Sequence, residues 1–238
     1  MTDCTAQIAV QSGLLEDDVF VIPPGRTNSS MSTFNNSHSE FLKWLSNSRF
    51  FLFMGPPTTI RGLFHLLLAF DLLAKKNNEV RLVCLFRSDG MTNQSKVTRY
   101  INNLQCRNRI FTVWRNLSPS DITFFLTKCH AVVMPFLLVP SELPLTIIES
   151  IGFAKPVIIS ESGGTSNFVR EFGLVVPPAS IKHLTNAMEI LLKDDNLYKK
   201  LCAVGHSAYI RHPTWTDVAA MWLNVAYATL NISHQKCK

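Results

Sequence analysis

The chain reads as an α/β protein: a parallel sheet with helices on both faces, followed by an all-helical C-terminus. Three observations predict this. Short, continuous apolar runs recur from residue 50 onward, without the in-out alternation of a sheet wetted on one side. Helical periods separate those runs, at the spacing of parallel strands joined by crossovers. Beyond about residue 180 the apolar runs stop and only helical periods remain.

Taken in order, "DDVFVIPPG" (17–25) reads as one short strand, and residues 26–40, rich in Thr, Asn and Ser, as a surface loop. "FFLFM" (50–54) is the first main strand. "GLFHLLLAFDLLAKK" then places Leu63, Leu66, Leu67, Phe70 and Leu73 on one helical face. "VRLVCLF" (80–86) and "RIFTVW" (109–114) are further strands. In "SPSDITFFLTKC", Ser118 and Asp121 stand at capping-box spacing, with Asp in place of Glu or Gln. "AVVMPF" (131–136), "PVIIS" (156–160) and "GLVV" (173–176) complete the strands, and helices are predicted over 180–193, 195–210 and 214–230. The organisation expected is a lead-in segment at 1–45, a main α/β domain at 46–212 and a closing helix and tail at 213–238.

Composition narrows the function. The 238 residues, 47% hydrophobic, can bury a real core. The net charge of +6 invites a nucleic-acid reading, yet the adjacent basic pairs are only Lys75-Lys76 and Lys199-Lys200, with no basic stripe interleaved with aromatics. No nucleic-acid partner is expected; a mild positive field suits an anionic small ligand or an anionic membrane surface. The six cysteines form no C-x-x-C pair and the start does not read as a secretory signal, so a reducing cytoplasm is expected. The longest apolar runs fall short of the ~20 residues of a membrane span, leaving at most a peripheral membrane contact.

Walker A, G-x-G-x-x-G, G-x-S-x-G and H-E-x-x-H motifs are absent, and no histidine lies at metal-ligand spacing from another. No metal or cofactor is expected, and His130, opening an apolar strand, reads as structural.

An open parallel sheet binds ligands outside the carboxyl ends of its strands. That rim holds Gly55 to Gly62, Arg87 to Asp89, Trp114 to Leu117, and the stretch from Pro135 to Glu149. The helix starting near Leu145 offers free N–H groups and a positive dipole end to a phosphate. Gly163-Gly164 offers a second close backbone approach. Arg61, beside Gly62, offers a planar fork for phosphate oxygens. Carboxylates at such a rim, Glu142 and Glu149, are repelled by phosphate and suit hydroxyls. Diphosphate grips beside hydroxyl grips describe a nucleotide sugar. Arg61 and Glu142 read equally well as solvated surface charges. Glu149, inside an apolar helix, needs a partner.

"VVMPFLLVPSELPLTIIESIGFAKPVIISESGGTSNFV" (132–169) resembles the donor-binding signature of the group 1 family of retaining GT-B glycosyltransferases. "VFVIPPG", "FLFMGPPTTIRGLFHLLLAF", "SIKHLTNAMEILLKDDNLYKKL" and "PTWTDVAAMWLNVAY" resemble other stretches of that family in consistent order over residues 17–230. The resemblance implies a Rossmann-like domain, the C-terminal half of a GT-B fold, with a nucleotide-sugar donor as partner. It implies that Glu149 binds ribose hydroxyls, that backbone at Leu143, Pro144, Leu145 and Thr146 meets the diphosphate or sugar, and that Arg61 takes the place of a phosphate-binding lysine. Ser141 aligns with the family's first glutamate, so Glu142 serves as a catalytic carboxylate only through a contracted turn. Pro56 stands at a family arginine, for which Arg87 is the available substitute, and Asn167 at a usual glutamate. The resemblance covers only the donor half, so an acceptor-binding domain or chain is expected in addition. The other reading open at this point is an inactive nucleotide-binding or interaction module of the same fold.

Overall fold

The computed structural model describes residues 3–27, 38–87, 94–138, 143–161 and 163–236. Its centre is a six-stranded parallel sheet. In chain order the elements are α1 (Asp3–Gln11), α2 (Ser39–Leu45), β1 (Arg49–Met54), α3 (Leu63–Lys76), β2 (Val80–Leu85), α4 (Gln94–Asn102), β3 (Ile110–Val113) and α5 (Pro119–Lys128). Then come β4 (Ala131–Met134), α6 (Leu145–Gly152), β5 (Val157–Ser160), α7 (Gly163–Val169), β6 (Gly173–Val176), α8 (Ile181–Lys193), α9 (Asp195–Arg211) and α10 (Trp215–Lys236). The strand order is β3-β2-β1-β4-β5-β6, with β1 paired to β2 from Arg49↔Val80 to Met54↔Leu85 and to β4 at Phe51↔Ala131. The order reverses between β1 and β4, which opens a crevice at their carboxyl ends.

The continuous apolar strands are explained by burial on both faces. Phe51, Phe53, Leu82, Cys84, Val133 and Ile158 pack with α3 and α8 on one side. Phe50, Leu52, Val83, Val132, Val157 and Ile159 pack with α5 and α6 on the other, as the two-residue period of a strand requires. The five residues read as one face of α3 are at most 1% exposed. Ser118 and Asp121 form a full capping box at the start of α5, each side chain accepting from the other's backbone N–H at 3.2 Å. Burial pushes the Cys129 thiol up to about 12, which keeps it an uncharged packing group. His130 stacks on Tyr198 with ring centroids 4.2 Å apart, and its Nε2 lies 2.8 Å from the Leu191 carbonyl, a structural placement.

Two expectations are corrected before residue 50. No strand forms over 17–25: Glu16–Asp18 is a short 3-10 turn, and the residues beyond it run as an extended strap. Its partner is the α9–α10 junction rather than a sheet edge. The Arg26 N–H donates to the Pro213 carbonyl at 2.8 Å, and Arg26 Nε to the His212 carbonyl at 2.9 Å. The Tyr209 hydroxyl donates to the Thr27 carbonyl. Gly25 fits only without a side chain, since a Cβ there would lie 2.6 Å from the Trp215 nitrogen. Of the expected 26–40 loop, residues 28–37 lie outside the described residues, and Ser39 opens α2 instead. Phe41 and Leu45 of α2 are buried in the core beside Phe124 and Phe125.

No helix among the described residues is long and apolar enough to cross a membrane. α10 is longer than expected and splits its apolar side: Val218 is buried and Val225 half-buried, while Trp222, Leu223, Tyr227 and Leu230 are 58–64% exposed.

Candidate functional site

The carboxyl ends of β1 to β4 surround a cleft of about 490 Å³. Strand pairing runs on into its floor. Gly55 N–H donates to the Leu85 carbonyl at 3.0 Å, and Phe86 N–H to the Val113 carbonyl at 2.8 Å. Gly55, Pro56 and Arg61 come from the β1 side, Phe86 and Arg87 from β2, and Arg115, Asn116 and Leu117 from β3. Leu145, Thr146 and Glu149 of α6 close the remaining wall.

Arg61 is fixed by the backbone around it. Gly62 turns the chain at φ 73°, and a Cβ there would lie 1.8 Å from the Pro135 carbonyl oxygen. The N–H groups of Leu137 and Leu138 both donate to the Ile60 carbonyl, at 2.8 and 3.1 Å, and tie this turn to the segment after β4. Gly55, at φ 129°, also has to be glycine: a Cβ would meet Arg61 Nη1 at 2.8 Å. The guanidinium sits 5.8 Å from the Phe136 ring centroid. Burial, and then the charge of Arg87, push Arg61 down from its ordinary value, although arginine remains charged. Arg61 has no carboxylate partner among the described residues, so the repulsion from Arg87 is left for an anion to relieve.

α6 begins at Pro144 with no side-chain cap. The Ile147 N–H bonds back to the Pro144 carbonyl at 2.9 Å, and the Leu145 and Thr146 N–H groups have no acceptor among the described residues. One turn further, the Glu149 carboxyl is half-buried and pushed up by burial, with no hydrogen bond or ion pair among the described residues. It also borders a small crevice walled by Gly25, Arg26, Tyr209 and Trp215, so it stands between the cleft and the strap. Among the described residues, three guanidinium groups against one carboxylate make the cleft a cation-rich site with Glu149 as its charged hydroxyl acceptor. Among the described residues no cluster of three or more His, Cys, Asp or Glu is placed to hold a metal ion.

The structure thus brings together Gly55, Arg61, Arg87, Leu145, Thr146 and Glu149, with Gly62 as the hinge behind Arg61. Leu143 and Pro144 are buried beneath α6 rather than in the cleft wall. Gly163 and Gly164 open α7 on the same sheet edge but do not line the cleft; Gly163 has φ 50° and open space around it. Ser141 and Glu142 lie outside the described residues. Arg115 and Leu117 line the wall from within the Trp114 to Leu117 stretch expected at the rim, without a role of their own in that expectation, and Ile122 completes it without having been singled out in the sequence. Their signal was position alone, just past the third strand.

The family model "Glycosyl transferases group 1" matches residues 35–205. The chain belongs to this family. It is 30% identical over 149 residues to the O-antigen chain mannosyltransferase C of Escherichia coli, covering 61% of this chain and 38% of that protein. Its structure is similar to a glycosyltransferase from Rickettsia africae (TM-score 0.79, 19% identity, 96% of this chain and 62% of that one). It is also similar to Anabaena HepE solved with UDP-glucose (TM-score 0.77, 16% identity, 97% and 62%). At these identities the structures show the fold, a Rossmann-like domain of the GT-B glycosyltransferases. The chain thus spans 38% of the mannosyltransferase and 62% of each of these two structures, less than two thirds of each.

Proposed function

We propose that this chain is the donor-binding half of a retaining glycosyltransferase: it holds a nucleotide sugar for transfer to an acceptor bound by another domain or chain. The observation that carries the reading is the cleft itself, where Arg61, Arg87 and the uncapped start of α6 surround one unpartnered carboxylate, Glu149. In transfer the bond from the anomeric carbon to the diphosphate oxygen breaks, its electron pair leaves with the diphosphate, and the acceptor hydroxyl oxygen forms the new bond as its proton passes to the departing diphosphate. Arg61 and the α6 N–H groups are placed to stabilise the charge that grows on the leaving diphosphate. Glu149 accepts from ribose hydroxyls and orients the nucleotide. The binding of UDP-glucose by HepE and the mannosyl transfer named for the Escherichia coli relative support a hexosyl donor. The net charge of +6 supports work beside an anionic membrane face on the cytoplasmic side.

The second reading, an inactive nucleotide-binding module, is favoured by Pro56, which puts no cation at the end of β1. Calorimetric titration of the purified chain with GDP, UDP and their hexose conjugates tests the donor-half reading. Weak saturable binding is expected; none up to millimolar ligand defeats it.

A further inference from the structure

The cleft has two chemically distinct ends. Toward β1 and β4 it presents Arg61, the α6 N–H groups and Glu149. Toward β2 and β3 it presents Leu85, Phe86, Leu117 and Ile122, with Arg115 and Asn116 at the rim. These ends are two strand spacings apart, about 10 Å, the reach of a nucleoside diphosphate from base to terminal phosphate. The cleft guanidinium groups of Arg61 and, from β2, Arg87 have no carboxylate partner among the described residues, whereas Arg115 is already paired with Asp121. The diphosphate therefore lies toward Arg61, Arg87 and the α6 N–H groups, and the flat base on the apolar wall of the second end. This inference rests on the nucleotide-sugar reading above.

What discriminates between bases there is Arg115. Its Nη1 lies 3.3 Å from Asp121 Oδ2, and Asp121 is itself held by the Ser118 cap and by His38 Nε2 at 3.2 Å. One corner of the guanidinium is therefore anchored on α5, while the rest has no other partner among the described residues. A guanidinium presents two parallel donors, and guanine presents two adjacent acceptors, O6 and N7. Adenine places a donor beside its N7. Uracil presents single carbonyl oxygens separated by a ring N–H. Asn116 carries both a donor and an acceptor, so it suits any base edge and does not discriminate.

We propose that Arg115 reads the base of the donor and selects a guanosine diphosphate sugar over uridine and adenosine donors. The test is calorimetry of the full chain and its Arg115→Ala variant with GDP, GMP, UDP, ADP and 7-deaza-GDP, which lacks the N7 acceptor. The parent should bind GDP about tenfold or more tighter than UDP or ADP. Arg115→Ala should lose about that factor for GDP and for GMP alike, and stay within about twofold for UDP and ADP. The parent should also lose affinity for 7-deaza-GDP, and the variant should not distinguish it from GDP. A parent that prefers UDP or ADP overturns the inference. So does an equal loss on all diphosphates with none on GMP, which makes Arg115 a phosphate contact. Binding of no nucleotide at all removes the donor-half reading itself, whereas UDP binding without guanine preference removes only this inference.

Discussion

In the function proposed above, Glu149 is a binding group carried at a cost to the empty protein. Burial pushes its carboxyl up, and no donor among the described residues offsets that. A raised folded pKa means that the native state holds the proton at pH values where the unfolded chain has released it. Stability therefore falls as pH rises from the ordinary carboxylate range through the raised value, and the charge is a burden above it. Glu149→Gln removes the burden. The variant is expected to match or exceed the parent in melting temperature at neutral pH, with a flatter pH profile. A carboxylate bonding ribose hydroxyls contributes roughly 1.5–3 kcal/mol, so its loss should weaken nucleoside diphosphate binding by about one to two orders of magnitude. A collapse in melting temperature with normal binding by the remaining folded protein would make Glu149 structural. Arg61→Ala is expected to weaken a nucleoside diphosphate far more than the free nucleoside, because its unpaired guanidinium faces the charged end of the cleft. Equal losses on both ligands would remove Arg61 from the phosphate.

At the scale of the element, the turn between β1 and α3 is the most constrained piece of the site. Gly62 combines φ 73° with the Pro135 carbonyl 1.8 Å from any added Cβ, and the obstacle is backbone that is itself tied down. Gly62→Ala is expected to cost at least ~1–3 kcal/mol in a denaturant titration, and to lower diphosphate affinity by moving Arg61. Gly163→Ala is the control: φ 50° with open space costs only ~1–2 kcal/mol. A smaller loss at Gly62 than at Gly163 would show that the turn yields. The six strands were legible because each is a short apolar run, a pattern that local sequence carries; the inner strands β1, β2, β4 and β5 are almost wholly buried, while the edge strands β3 and β6 are half-buried wholly or in part. Arg61 and Glu149 were legible because each follows or faces a strand end. Residues 19–22 are a continuous β-branched and aromatic run that reads as a strand, yet Phe20 and Val21 are exposed and the strap that follows bonds through Pro24 and Arg26 to the α9–α10 junction, a partner distant in sequence. Arg115 was legible only as part of the rim stretch Trp114 to Leu117, not as a residue with a role of its own. Its place in the cleft depends on the β2–β3 register, Leu85↔Val113, which no local pattern encodes.

For the whole molecule, the surface decides what this chain can do by itself. Trp222, Leu223, Tyr227 and Leu230 form an outward apolar arc on α10, and Ile8, Leu14, Leu15 and Phe20 are exposed near the start of the chain. Apolar residues grouped this way on one helix mark a surface that associates. The cleft, meanwhile, holds grips for a donor and no second pocket facing it for an acceptor among the described residues. The chain also covers 38% of the mannosyltransferase and 62% of the structures it matches. On the function proposed above, an acceptor-binding half would cover α10 and complete the cleft. The 238-residue chain alone is expected to bind nucleotide and to transfer no sugar. Activity should appear when an acceptor-binding half is supplied as a second chain or fused ahead of it. Trp222→Asp with Tyr227→Asp is expected to leave nucleotide affinity within about twofold and to abolish that restored transfer, since two charges would then be buried in the contact. Robust transfer by the purified chain alone would sink this claim and place the acceptor site within the residues described here. Restored transfer that survives the double substitution would keep the partner but move its docking surface off α10.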